Sequence, residues 1–411
     1  MKLQYNIYPP NAINTTIKLP ASKSISNRAL ILNALSSSNY PIENLSDCED
    51  TQVIIDAFNS NSNEIDIKGA GTAMRFLTSF LSVMEGEWIL KGSKRMHQRP
   101  IHPLVETLIA LGADITYLEK EGFPPLKIRG GKLKGGEIYL SGNISSQFIS
   151  ALLMVAPLME NGLIMHIERE IVSKPYIDLT IAMMANCGVN VKWVGNDITV
   201  KPQTYKNFEI TVETDWSAAS YWYEIASLTP GSEVKLLGLV KDSLQGDANV
   251  ANLFVDLGVS TEYVSDGVII RSVNSKTRKF FHNFINEPDL AQTFATTCCF
   301  KDIQFIFSGI QSLKIKETDR VQALINELKK LGYVLKENEI GMLEWDGERC
   351  DPAIEPSIDT YDDHRMAMSF APGAIIFNSL ILNDPQVVSK SYPLFWEDLN
   401  KAGFKIENKE R

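Results

Sequence analysis

The stretch Val321–Glu337, VQALINELKKLGYVLKE, joins two periodicities across one glycine. Val321, Leu324, Ile325, Leu328 and Leu331 recur at helical spacing and form one apolar stripe. From Tyr333 the pattern switches to the alternation of a half-buried strand. Gly332 lies at the switch, where a left-handed residue closes a helix most cheaply. The unit is helix, glycine, strand, and it recurs as LVETLIALGADITYL, DLTIAMMANCGVNVKWV, VANLFVDLGVSTEYV and FWEDLNKAGFKIEN. The five glycines, Gly112, Gly188, Gly258, Gly332 and Gly403, stand 76, 70, 74 and 71 residues apart. Such punctuation is common in α/β proteins, but a nearly constant period points to an internal repeat. A sixth, weaker copy, TQVIIDAFNSNSNEIDI, puts an Asn in the glycine's place, as capping chemistry permits.

Between copies lie a second helix and extra strands. One such helix, SSQFISALLMVAPL, is apolar nearly all round, which predicts burial. Six units of roughly 70 residues predict an α/β architecture of two three-unit domains. No Pro/Ser-rich linker marks a junction, and the halves divide near Thr214–Ser217, after the third copy.

The 411 residues leave room for two domains, and 44% hydrophobic residues is ordinary for globular cores. A net charge of −10 and a pI near 5.2 argue against nucleic acid or an anionic membrane held by bulk charge. Any bound anion must be held by local cationic clusters. Cys48, Cys187, Cys298, Cys299 and Cys350 form no CxxC pair and no disulfide framework. The five histidines show no HxxxH or HExxH spacing, so no zinc site is expected. The first 20 residues alternate like a strand and lack a signal-peptide apolar core. The most apolar run, Phe148–Met159, contains Pro157 and is too short to span a bilayer. The plain expectation is a reduced, cytoplasmic protein.

Residues 20–37, PASKSISNRALILNALSS, place cations where a helix ordinarily avoids them. Ser22 or Ser24 is suited to cap, and Lys23 and Arg28 then occupy the opening turns, against the positive end of the dipole. An anion there would use both the charges and the free N–H groups. Other helix starts carry comparable side chains. GAGTAMRFL offers a glycine-rich turn at Gly71 with Thr72 and Arg75, and RMHQRPIHPLV offers Arg95 and Arg99. Ser145, Ser146 and Gln147 open one helix; Ser173, Lys174 and Tyr176 open another. Lys316, Glu317 and Arg320 stand in KETDR, His364 and Arg365 in DDHRMAM, and Lys390 before the last helix. Taken singly, each is more often a cap or a surface pair. Repeat units point equivalent helix ends the same way, so together they predict convergent cations around a small, multiply anionic substrate. Asp289 and Glu317 are carboxylates placed for proton transfer, against the blander roles of a cap and an exposed ion pair.

LPASKSISNRAL, GAGTAMRFL, RPIHPLVETL, SSQFISALLMVAPL, SKPYIDLTIAMM, KETDRVQAL, YDDHRMAM and SKSYPLFWEDL resemble, in order from Leu19 to Leu399, the motif series of the EPSP synthase (3-phosphoshikimate 1-carboxyvinyltransferase) family. The resemblance implies two inside-out α/β barrel domains, each of three similar helix/strand units, with an interdomain cleft. It implies one discontinuous domain, 1–20 plus 215–411, and an inserted domain, 21–214. The implied reaction moves the enolpyruvyl group of phosphoenolpyruvate to the 5-hydroxyl of shikimate 3-phosphate through a tetrahedral intermediate, with no cofactor and no metal. The partners implied are those two small molecules, with no nucleic acid and no membrane, acting on a monomer.

Carried over to this sequence, the resemblance places Lys23, Gly71, Arg99, Gln147, Arg320, Arg365 and Lys390 on phosphoenolpyruvate. It places Ser24, Arg28, Ser145, Ser146, Gln147, Ser173, Tyr176, Asp289 and Lys316 around shikimate 3-phosphate. Asp289 is the implied base toward the hydroxyl, with Glu317 and Lys23 the candidates for the proton delivered to carbon. Gly69 stands where many relatives have Asn, Ser312 where some have Asn, and Phe76 where a proline is frequent. The related UDP-N-acetylglucosamine 1-carboxyvinyltransferases typically carry a cysteine in the region equivalent to Lys91–Arg99, where this chain has none. A non-catalytic anion binder would have no reason to keep Asp289 and Glu317 beside its cations.

Overall fold

The computed structural model describes residues 3–143 and 145–410. The chain divides into two compact units, one of residues 1–20 with 213–411 and one of residues 21–212. The second boundary falls two residues before the expected 214/215.

Residues 21–212 contain the helices α1 (Lys23–Ser36), α2 (Glu49–Asn59), α3 (Gly71–Val83), α4 (His102–Ala110), α5 (Ser146–Val155) and α6 (Lys174–Asn186). Helices α1, α3 and α5 pack on one another at the centre. Every residue of α5 except Gln147 is buried, as its all-round apolar sequence predicts. Around them lie two four-stranded sheets and one two-stranded sheet. Each contains a parallel pair: Glu64–Asp66 with Gly86–Lys91, Gly136–Ser141 with Leu163–Glu168, and Ile210–Thr211 with Ile42–Glu43. Helices inside and strands outside invert the usual barrel.

The discontinuous unit repeats the plan with α7 (Trp216–Leu228), α8 (Val250–Leu253), α9 (Ala291–Phe300), α10 (Arg320–Lys330), α11 (His364–Phe370), α12 (Ala374–Phe377) and α13 (Phe395–Lys401). Here α7, α9 and α11 form the centre, and every residue of α9 and α11 is buried. The N-terminal segment completes two of its sheets. Leu3–Tyr8 runs antiparallel between Leu380–Asn383 and Lys405–Glu410, while Asn14–Lys18 pairs in parallel with Glu233–Leu237. Each unit has its own hydrophobic core.

The repeat glycines all take left-handed φ, +105° at Gly112, +78° at Gly188, +86° at Gly258, +92° at Gly332 and +97° at Gly403. Two copies depart from expectation. After Gly332 the predicted strand does not form, and Tyr333 and Lys336 make only isolated bridges, to Arg349 and Glu344. In the sixth copy α2 ends at Asn59, and Ser60 leaves it extended at φ −79° and ψ 137°. No left-handed turn forms there, and the chain runs on to Glu64–Asp66 without the tight reversal. Among the described residues no helix is long and apolar enough to cross a membrane.

Candidate functional site

In residues 21–212 the cations at the helix starts are held in place by buried polar partners. Lys23 is the first residue of α1, following Ser22 at the N-cap position, and its ammonium lies 3.0 Å from Asp50 Oδ2 on α2. Arg28, one turn on, is buried and donates to Thr180 Oγ1 at 2.7 Å, the Ser24 carbonyl at 2.9 Å, and Ser150 Oγ and the Tyr176 carbonyl at 3.2 Å each. It also stacks on the rings of Phe76 and Tyr176, and burial pulls its pKa down to about 10. Gly71 opens α3, and a Cβ built there would sit 2.6–2.7 Å from the Arg99 guanidinium nitrogens. The glycine thus makes room for a cation that is itself only 5% exposed. Gln147 Nε2 donates to Thr72 Oγ1 at 3.1 Å, which ties the start of α5 to the start of α3. Ser145 caps α5, its Oγ accepting from Gln147 N, with Ser146 the first helical residue. Ser173 precedes α6 at φ +59°, a strained conformation for a serine, and turns the chain so that Tyr176 reaches Arg28. These contacts form separate groups: Arg28 with Ser24 and Tyr176, Arg99 against Gly71, Gln147 on Thr72, and Lys23 on Asp50. Arg95 and Lys174 stand outside them, on surface bonds to Gln98 and Asp178.

In the other unit the predicted residues form one ion cluster. Arg320 opens α10 and is fully buried. Its guanidinium meets Asp363 at 2.7 and 3.3 Å, Glu317 at 2.8 Å and Asp289 at 3.1 Å. Arg365 meets Asp289 Oδ2 at 2.8 Å and also donates to the Asp289 carbonyl and Tyr221 Oη. Lys316 lies 4.0 Å from the same carboxylate. Burial pushes the Asp289 carboxyl up, but Arg365, Lys316 and Arg320 outweigh it and hold the group well below the usual carboxylate range. Burial likewise opposes the Arg320 charge, and Asp363, Glu317 and Asp289 outweigh it. Lys390 donates to the Asp362 carbonyl, beside Asp363 in the loop that enters α11.

Asp319 caps α10 by accepting from Gln322 N, so Lys316 and Glu317 lie in the chain just before the helix that Arg320 opens. Three acids were not anticipated as parts of the site. Asp50 and Asp363 bond to predicted cations, and Asp247 lies buried near Asp289 and Arg365. Asp363 had a signal in the sequence, since it adjoins His364 and Arg365 within DDHRMAM. Among the described residues no group of three or more His, Cys, Asp or Glu side chains is arranged to hold a metal ion.

Two basic clusters, each ringed by donors and carboxylates, suit small substrates rich in phosphate and carboxylate. The family model for EPSP synthase (3-phosphoshikimate 1-carboxyvinyltransferase) matches residues 7–60 and 54–399. A 3-phosphoshikimate 1-carboxyvinyltransferase from Bacteroides fragilis is 52% identical over 406 residues, 98% of this chain and 99% of the relative. One from Vibrio campbellii is 39% identical over 424 residues, 96% and 98% of the two. The solved EPSP synthase of Acinetobacter baumannii shares the fold at a TM-score of 0.79 and 23% identity, over 99% of this chain and 100% of that one. Motif order, fold and sequence identity over nearly the whole length agree, and the chain belongs to the EPSP synthase (3-phosphoshikimate 1-carboxyvinyltransferase) family.

Proposed function

We propose that this protein transfers the enolpyruvyl group of phosphoenolpyruvate to the 5-hydroxyl of shikimate 3-phosphate and releases phosphate, a step of the shikimate pathway to the aromatic amino acids. The observation that carries the reading is the buried pair Arg320 and Arg365 clasping one carboxylate, Asp289. A carboxylate so placed occupies the cations that an anionic substrate would engage. When substrate phosphate and carboxylate take over Lys316, Arg320 and Arg365, Asp289 loses its stabilising charges and its proton affinity rises. Substrate binding thereby turns a poor base into a competent one.

Phosphoenolpyruvate is assigned to Lys23, Gly71, Arg99, Gln147, Arg320, Arg365 and Lys390. Shikimate 3-phosphate is assigned to Ser24, Arg28, Ser145, Ser146, Gln147, Ser173, Tyr176, Asp289 and Lys316. Asp289 takes the proton of the 5-hydroxyl as its oxygen bonds to C2 of phosphoenolpyruvate, while Glu317 or Lys23 supplies the proton that reaches C3. The resulting ketal then loses phosphate from C2 and the proton from C3, which regenerates the vinyl group. Bidentate arginine contacts hold C2 against the hydroxyl through both steps.

The test is phosphate release from phosphoenolpyruvate with either shikimate 3-phosphate or UDP-N-acetylglucosamine as acceptor. Release with the shikimate ester alone is expected. Release only with the nucleotide sugar transfers the protein to the related activity, and none with either makes it a binder. Asp289→Ala is expected to bind both substrates but lose turnover by about 10²-fold or more; near-normal turnover would remove Asp289 as base. The protein is further proposed to act as a cytoplasmic monomer, which light scattering at the 45.9 kDa of one chain would support and twice that mass would exclude.

A further inference from the structure

Asp247 is a carboxyl group that the reaction as derived does not use. It lies in a short helical turn, Gly246–Asn249, and is 2% exposed. The Ser217 hydroxyl donates to its Oδ2, while its Oδ1 has no hydrogen-bond partner among the described residues. Ser217 and Tyr221 are one turn apart on α7, and Tyr221 Oη receives Arg365. One face of α7 therefore holds Asp247 and, a turn later, the guanidinium that clasps Asp289. The turn is fixed at its other end as well, because Asn249 Nδ2 donates to Glu287 Oε1 at 2.8 Å, two residues before Asp289. Gln245, just ahead of the turn, accepts from Trp216 N at the start of α7.

We propose that Asp247 is a positioning residue for the base: its ionisation places a second negative charge beside the Asp289–Arg365 pair and so raises the proton affinity of Asp289. The inference rests on the enolpyruvyl-transfer reading. The charged groups around Asp247 are Asp215 at the N-cap of α7, Asp289 on the turn before α9 and Arg365 on α11. Behind them stand Glu287 with His282, and Lys316, Glu317 and Arg320 around Asp289. Burial first, and then the neighbouring Asp289, push the Asp247 carboxyl up to about 7, against Arg365 and the Ser217 hydroxyl. It therefore changes charge in the neutral range, where Asp289 itself stays ionised. Below that range Asp247 is neutral and Asp289 is the weaker base.

The test is the pH profile of phosphate release by the full chain, wild type against Asp247→Asn. Wild-type kcat is expected to rise with pH through the neutral range. The variant is expected to lose that limb and to fall about tenfold in kcat at about pH 8, one pK unit on the base, with KM for phosphoenolpyruvate little changed. Ser217→Ala removes the donor that favours ionised Asp247 and should move the limb to higher pH, which keeps the test open should Asp247→Asn fold poorly. A readout independent of turnover is the infrared difference spectrum of the ligand-free protein between about pH 6 and about pH 8. It should contain a carboxylic-acid band in wild type that is missing from Asp247→Asn. Active wild type with an unchanged profile in both variants, or the same band in wild type and Asp247→Asn, overturns the inference. Inactive wild type overturns the enolpyruvyl-transfer reading instead.

Discussion

Asp363 divides its two oxygens among groups that the proposed chemistry needs. Oδ2 accepts from Arg320 Nε, while Oδ1 accepts from Arg320 Nη2 and from the backbone N–H of Arg365, the first-turn donor of α11. The carboxylate is fully buried, as is Arg320, so their attraction is little screened by water. Asp363→Asn keeps the shape but removes the charge. It should lower the free energy of unfolding by about 3 kcal/mol, the lower end for breaking a buried pair, because Glu317 and Asp289 still meet Arg320. Urea unfolding measures this, and a change below about 0.5 kcal/mol would mean that Asp363 contributes no more than a surface group. At this scale the cations were legible, while of their buried partners only Asp363 carried a signal, by adjoining His364 and Arg365. Lys23, Arg28, Arg320 and Arg365 announce themselves by standing at helix starts, where a bare positive charge is unfavourable. Asp50 and Asp363 are ordinary acids near helix starts, and their partners lie 27 and 43 residues away in the chain. Only the fold brings those residues together.

The helix and its closing glycine were legible because the helical period and the hinge are local properties, whereas a strand needs partners along its length, and after Gly332 only two isolated bridges form. The reversal at each glycine depends on positive φ, and at Gly258 the space is closed as well. There φ is +86°, and an added Cβ would stand 2.7 Å from the carbonyl oxygen of Val273. Gly258→Ala should cost about 2 kcal/mol, seen as a lower urea midpoint with an unchanged slope. At Ser60, where α2 ends in an extended conformation, Ser60→Gly should bring no gain, since no left-handed residue is called for. Equal effects at the two sites would mean that the reversal is not what the repeat glycines provide. The burial of α9 was much harder to read. AQTFATTCCF looks half-polar, yet every residue is buried. Two of its three threonines bond backward into their own helix, Thr296 to the Gln292 carbonyl at 3.1 Å and Thr297 to the Thr293 carbonyl at 2.7 Å, and Thr293 pairs with Ser220 on α7. A hydroxyl satisfied in that way packs as a small hydrophobe, and no pattern of polarity along the chain reveals it.

For the whole chain, the same logic makes residues 21–212 an insertion into the other unit. The backbone N–H of Asp215 donates to the Pro20 carbonyl at 2.9 Å, so the chain leaves and re-enters the discontinuous unit at neighbouring points. Residues 21–212 have their own sheets and a closed hydrophobic core, and they are numerous enough to bury most of their apolar surface. A fragment of residues 21–212 should therefore fold alone, with helical circular dichroism and one cooperative urea transition. The remainder is not free to lose its N-terminal segment. Leu3–Tyr8 is an interior strand, paired on both sides, and Ile7 and Ile17 are fully buried in that unit's core. Residues 213–411 alone would leave the strands Leu380–Asn383 and Lys405–Glu410 without the partner between them, a template for aggregation. Residues 1–20 joined by a short glycine linker to 213–411 should fold, because the linker need only span the gap that the Pro20–Asp215 hydrogen bond already closes. Cooperative folding of 213–411 without residues 1–20, or its absence in the 21–212 fragment, would show that the two units are not independent in the way their separate cores require.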